Sequence, residues 1–183
     1  MEVLVSLLQS RHKEILLSER ATFASPWLIN IILSKQCALC AAKNKKLLGW
    51  DERFRTYVNA SDAQWLEEVE TVYVPMVLDD KHWVGLAINL KMWLIEVLAT
   101  SSRSEHGTQQ HRYKPFMLQR ARGHYKNIHS GDCGPLAMKL LELHANGVNN
   151  DEITNLTDVK VNELRKAYAM DIYTEVVLPL YFP

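Results

Sequence analysis

Three short runs rich in β-branched and aromatic residues lie in the middle of the chain, between regions with helical patterning. They read VYVPMVL (72–78), HWVGLAINL (82–90) and MWLIEVL (92–98), and only a few polar residues separate them. Runs of this kind, broken by short polar turns, are typical of strands joined as hairpins. The pattern predicts a three-stranded antiparallel meander, and KPFMLQRA (114–121) supplies a candidate for a further strand.

Helical periodicity flanks these runs on both sides. Apolar residues recur at helical spacing within 1–20, and Pro26 suits the first turn of a second helix. The uncharged stretch 21–34 is too short to cross a bilayer as a helix, so we expect it to form buried core. Further helices are predicted over about 131–147 and 157–177. Helices, then strands, then helices indicate an α+β fold rather than a doubly wound parallel sheet.

The length of 183 residues and the absence of repeats or linkers predict a single domain, 1–183. Lys plus Arg and Asp plus Glu each number 21, so the net charge is zero and no overall field favours nucleic acid or an anionic membrane. The cysteine count is three, and 1–17 show no basic start followed by a cleavable apolar core. We therefore expect intracellular surroundings, nuclear or cytoplasmic.

Cys133 lies in SGDCGP (130–135), where a glycine-containing turn leads into a predicted amphipathic helix. The free N–H groups and the dipole at a helix start favour a thiolate, which is the nucleophilic form of cysteine. The flanking glycines, Gly131 and Gly134, leave room for a substrate backbone. The alternative is a cysteine that serves only packing, and a partner base is what distinguishes the two roles.

His82 is the first residue of the second β-like run and supplies a candidate base. A nucleophilic cysteine needs an imidazole within hydrogen-bond reach, and the 51 residues between His82 and Cys133 do not prevent it. The other histidines lie in polar or helical contexts, and we expect most of them at the surface. His124 and His129 are the alternative bases because they are closest to Cys133 in sequence.

Two other kinds of site have weaker support from the sequence: a metal or redox site, and a caspase-like active site. Cys37 and Cys40 have the spacing of half a zinc site, but the other half is missing, so we expect no metal and no cofactor. A redox role for the pair lacks the surrounding βαβ pattern. A caspase-like site has a similar separation of histidine and cysteine, but GDCGP (131–135) does not match its cysteine motif.

Four motifs, in this order, resemble the ubiquitin-like-protein-specific (SUMO) cysteine protease family, C-terminal catalytic domain. They are VYVP (72–75), HWV (82–84), IEV (95–97) and GDCG (131–134), and the core that bears them spans about 70–147. The versions carried by plant transposable elements are the most similar. The resemblance implies a papain-like (adenain-like) fold, with a central antiparallel sheet packed against helices. Histidine before cysteine is the reverse of the papain order.

The resemblance also implies roles for individual residues. Cys133 matches the nucleophile that forms a thioester with the C-terminal glycine of a ubiquitin-like modifier, and His82 matches the general base. Trp83 matches the aromatic residue that walls the tunnel for the modifier's tail. Asn127, six residues before Cys133, occupies the position of the amide that helps hold the oxyanion, which is usually glutamine. The implied partner is a ubiquitin-like modifier or its conjugates, with neither nucleic acid nor membrane.

Ala99 departs from the family pattern, because it stands where the family has the aspartate that orients the histidine. Only the polar stretch 100–111 replaces a helix that usually follows. The missing aspartate and the missing helix indicate weakened activity. They are typical of a degenerate gene copy or of an incorrectly joined gene model. The alternative is a catalytically inactive module that binds a modifier or another protein. Of the nearby acids, Glu96, Asp79 and Asp80 are expected to face solvent.

Overall fold

The structure is a computed structural model in which helices cover both faces of one β-sheet. It describes residues 1–41, 43, 49, 52, 54–55, 65, 67–79, 81–98, 117–120, 131–148 and 156–181.

In the part of the chain that the structure describes, the sheet has five strands in sequential order. They are β1 (Ala21–Phe23), β2 (Thr71–Leu78), β3 (His82–Asn89), β4 (Leu94–Leu98) and β5 (Met117–Arg120). The antiparallel pairing of β2, β3 and β4 confirms the predicted meander. The two outer strands instead pair in parallel, β1 with β2 and β5 with β4, so the sheet is mixed. A strand of three residues such as β1 is too short to show an alternating pattern, and the sequence did not reveal it.

Helices lie where the sequence predicted them, and two further short helices, Gln36–Ala41 and Leu178–Tyr181, were not predicted. The described helices are α1 (Glu2–Arg11), α2 (Lys13–Ser18), α3 (Trp27–Ser34), α4 (Gln36–Ala41), α5 (Cys133–Ala145), α6 (Asp158–Ile172) and α7 (Leu178–Tyr181), with a π-helix (Tyr173–Val177) between the last two. Helix α3 begins directly after Pro26, as expected of proline at a first turn. None of the helices in these described segments is both long and apolar enough to cross a membrane.

Alternate residues of the central strands enter two separate core clusters. Tyr73 and Ala87 pack with α1, α5 and α6 on one face of the sheet. Val74 and Leu86 pack with α3 on the other face. Because successive side chains of a strand point to opposite faces, the two clusters lie on the two sides of the sheet. The stretch 21–34 contributes to both clusters, as the sequence predicted.

Gly85, in the middle of β3, is the point where α5 lies directly on the sheet. A Cβ atom at Gly85 would lie 2.8 Å from Leu141 Cγ and 3.2 Å from the Ala137 carbonyl oxygen, both in α5. The first distance is shorter than any ordinary contact between carbon atoms. The lack of a side chain at Gly85 therefore determines how closely the helix approaches the strand.

Replacing Gly85 by alanine is expected to lower the free energy of unfolding by about 2 kcal/mol, because the added methyl overpacks the interface between β3 and α5. Urea denaturation measures the loss. In a Leu141→Ala background the same replacement should cost less, because the atoms nearest the new methyl are absent. An equal loss in both backgrounds would contradict the close approach.

Candidate active site

Cys133 is the first residue of α5, and its free thiol is half-buried. The Leu136 N–H donates to the Asp132 carbonyl oxygen at 3.1 Å, which closes the first turn of the helix. Gly131, just before this turn, has φ +91°, a backbone conformation that side-chain-bearing residues rarely adopt. The thiol therefore lies where the N–H groups and dipole of a helix favour negative charge.

Trp83, on β3, lies beside this helix start. A Cβ atom at Gly134 would be 3.5 Å from Trp83 Cδ1 and 3.4 Å from Met1 Cε, which are ordinary contact distances. The contact joins the start of β3 to the first turn of α5. Two motifs that are far apart in sequence, HWV and GDCG, are therefore neighbours in the fold.

His82 begins β3 and pairs with Leu78 at the end of the β2–β3 hairpin, where it is half-buried. Trp83 and Gly85 face α5, so strand alternation assigns His82 to the opposite side of the pleat. Within the described segments, no hydrogen bond joins the Cys133 thiol to the His82 imidazole. The structure brings the two chain segments together, and the direct pairing of the two side chains stays a prediction.

Several predicted site positions lie outside the described residues. They include the proposed oxyanion donor, the position of the missing aspartate, one turn acid and the two alternative bases, namely Asn127, Ala99, Asp80, His124 and His129.

Glu96 does not face solvent freely, contrary to the expectation from sequence. Its carboxylate accepts from His144 Nε2 at 3.1 Å, and His144 Nδ1 is 3.0 Å from the Tyr73 hydroxyl. Burial, with smaller effects of Glu19 and Glu96, raises the pKa of Tyr73 to about 12. The neutral phenol thus donates to Nδ1 while Nε2–H donates to the carboxylate. Glu96 is engaged by His144 and does not orient His82.

The histidines of the described segments also differ from the expectation of surface positions. His144 joins β2, β4 and α5 through the bonds just given. His12 Nε2 is 2.9 Å from Glu142 Oε1, and the His12 side chain is only 15% exposed. These rings are structural hydrogen-bonding groups, because packing between distant elements placed polar partners next to them. Asp79, in contrast, is exposed as predicted.

Cys37 and Cys40 are free and exposed on the short helix α4. Across the described ranges, no group of three or more histidine, cysteine or acidic side chains is arranged to hold a metal ion. The absence of a metal site at this pair stays a prediction.

The ion pair between Asp132 and Arg165 is a feature that the sequence did not reveal. Asp132 immediately precedes Cys133 and is 5% exposed, and its Oδ1 lies 2.9 Å from Arg165 Nη1 in α6. Asp132 belongs to a motif that the sequence did show, but its partner is 33 residues away, on another helix.

Solved structures of proteases are similar to this fold. The SUMO protease Ulp1 with its catalytic cysteine oxidized to a sulfenic acid gives a TM-score of 0.61 at 13% identity, over 93% of this chain and 77% of that one. The C-terminal Ulp1 protease domain in complex with SMT3, the yeast ortholog of SUMO, gives 0.58 at 11%, over 88% and 72%. A de-sumoylating protease gives 0.58 at 12%, over 98% and 80%. These likenesses confirm the α+β, papain-like fold.

Comparison of sequences gives two further results. Among curated proteins, none shows significant similarity to this chain. Residues 1–180 match the family described as the Ulp1 protease family, C-terminal catalytic domain. Since that match covers nearly the whole sequence, the chain belongs to the Ulp1 protease family of cysteine proteases.

Proposed function

We propose that residues 1–183 form one catalytic domain that acts as a peptidase or isopeptidase on a SUMO-like modifier, at the modifier's C-terminal glycine. Family membership and the fold shared with SUMO proteases support the substrate class. The contact of Trp83 with Gly134 is the observation that carries the assignment of the site. It brings the start of β3 beside the start of α5, which supports a shared cleft for His82 and Cys133.

In the proposed reaction the Cys133 thiolate attacks the carbonyl carbon of the modifier's C-terminal glycine. The carbonyl electron pair moves onto oxygen, where the Asn127 amide donates a hydrogen bond. Collapse of this intermediate breaks the C–N bond, and the leaving amine takes its proton from the His82 imidazolium. Water, deprotonated by His82, then hydrolyses the thioester and frees the thiol and the modifier carboxylate. Trp83 lines the channel for the glycine tail.

This mechanism requires the His82 imidazole to turn around the end of β3 towards α5. His82 is the first residue of its strand and pairs with Leu78, the last residue of β2, at the end of the hairpin. The polar turn before it, whose Asp79 has φ 52°, leaves this end of the hairpin exposed. A rearrangement at the start of β3 that turns the His82 ring towards α5 is therefore part of the proposal.

We further propose that the catalytic activity is weak. Among the acids that the structure describes, none is hydrogen-bonded to His82, and Glu96 is engaged by His144. Without an acceptor the imidazole is not held in one tautomer. The same observations support the second candidate function, a protease-derived module that binds a modifier without cleaving it. The motifs of the sequence also support a plant, transposon-derived origin, which we retain as part of the proposal.

Labelling with a SUMO-type modifier that carries a thiol-reactive group at its C-terminus tests the proposal. We expect slow formation of one covalent adduct, detected by intact mass and assigned to Cys133 by peptide mapping. Cys133→Ser should abolish it, because the serine hydroxyl is a far weaker nucleophile. Cys40→Ser is the matched control, since it removes an exposed thiol remote in sequence from the motifs, and it should label like the parent protein.

Two results would oppose the enzymatic proposal. An adduct that persists in Cys133→Ser would remove Cys133 from the site. Tight binding of the modifier without any adduct would establish the binding module instead.

A further inference from the structure

Asp132 is a buried carboxylate directly before the nucleophile, and it does not act as a helix cap. Its backbone is already helical, and its side chain accepts no hydrogen bond from the N–H groups of α5. The carboxylate instead pairs with Arg165 at 2.9 Å. Helix α6 packs against α5, so the ion pair bridges α6 and the first turn of the helix that bears Cys133.

A buried carboxylate with no partner is unfavourable, because it loses its hydration and gains nothing in return. At this position it would also place a negative charge one residue from the thiol, where it opposes formation of the thiolate. Arg165 supplies the compensating charge. Its own side chain is 52% exposed, so solvent screens part of the effect.

We propose that Arg165 is a positioning residue for Cys133, acting through Asp132 to hold the first turn of α5 and to neutralise the charge beside the thiol. The proposal rests on the proposed function only in naming Cys133 as the nucleophile. It makes helix α6 part of the reactive site. Among the described residues, two titratable groups belong to the chain segments packed at this turn, namely the amino group of Met1, whose side chain packs at Gly134, and His82, which precedes Trp83 on β3.

The test measures how fast Cys133 reacts with iodoacetamide in the full chain. Cys37→Ser and Cys40→Ser are introduced first, so that Cys133 is the only cysteine. We expect Arg165→Met to slow alkylation at pH 7 by about three- to tenfold and to move its pH profile towards higher pH, because a nearby negative charge is no longer balanced. Arg165→Lys keeps the charge and should stay within about twofold.

Two controls separate this effect from a general loss of charge or structure. Lys166→Met removes one positive charge from the next, exposed position of α6 and should leave the rate unchanged. Asp132→Asn combined with Arg165→Met removes the carboxylate charge as well, and it should restore the pH profile. If Arg165→Met acted only by disordering the start of α5, adding Asp132→Asn would not restore the pH profile of alkylation.

The proposal is overturned if Arg165→Met alkylates like the parent, if Lys166→Met slows the reaction equally, or if the double variant does not recover. If Arg165→Met does not fold, a parent-like profile for Arg165→Lys supports the proposal, and a profile displaced towards higher pH opposes it. Alkylation needs no modifier. A protein that follows the alkylation pattern but ignores the modifier probe would contradict the proposed function and leave this inference intact.

Discussion

Ala99→Asp is expected to raise turnover of modifier substrates by about 10- to 10³-fold. In a serine triad the loss of the aspartate's charge lowers turnover by about 10⁴, and a cysteine at a helix start depends less on that help. Residue 99 directly follows Leu98, which ends β4 and pairs with Gly85 of β3. A carboxylate there would accept from the imidazole and stabilise the imidazolium. Hydrolysis of a modifier fused to a fluorogenic amine measures the gain.

Two controls define the cause of that gain. Ala99→Asn adds an amide of the same shape without charge and should give a much smaller gain. His82→Ala in the Ala99→Asp background should remove the gain, because the aspartate acts only through the imidazole. The idea fails if Ala99→Asp leaves a weak activity unchanged. It also fails if the natural chain already turns over at ordinary rates of about 1 to 10³ s⁻¹.

Glu142→Ala is expected to lower the free energy of unfolding by about 3 kcal/mol at pH 7. Glu142 is 8% exposed, and its carboxylate lies 2.9 Å from His12 Nε2 and 2.8 Å from Lys139 Nζ. The buried Tyr168 hydroxyl also donates to it at 3.2 Å. Removing the carboxylate leaves these groups without their common acceptor, at the junction of α1, α5 and α6. Urea denaturation measures the loss.

The same carboxylate makes stability depend on pH. Burial raises the pKa of Glu142, but the hydrogen bonds and charges of Lys139 and His12 outweigh it, so the pKa is lower than usual. The unfolded chain then binds the proton first as pH falls, near an ordinary glutamate pKa of about 4.3. The stabilisation is therefore present above that pH and is lost as pH falls through the folded-state pKa.

The difference in free energy of unfolding between the parent protein and Glu142→Ala should accordingly be largest at pH 7 and should become smaller below about pH 4. Glu163→Ala removes an exposed carboxylate from α6 and should change stability by no more than about 0.5 kcal/mol. A gap between parent and Glu142→Ala that stays constant from pH 7 to pH 3 would show that Glu142 stabilises by packing and not by charge.

The sequence alone predicted the elements that local chemistry determines. The β2–β4 meander follows from runs of β-branched residues broken by polar turns, and α5 was predicted from its apolar stripe after a glycine turn. The HWV and GDCG motifs marked the two segments that meet at Trp83 and Gly134. These features depend on neighbours a few residues apart, which is the range in which a sequence pattern is visible.

Only the tertiary structure decided which distant groups pair. The parallel pairing of β1 with β2 places Ala21 opposite Thr71, and no local sequence pattern predicts this pairing. Glu96 was expected in solvent but bonds to His144, and the buried Asp132 pairs with Arg165. Each partner is selected by how helices and strands pack, because a buried polar group takes whichever complementary group the fold brings within about 3 Å. The pairing therefore depends on the three-dimensional packing, and no periodic pattern in the sequence predicts it.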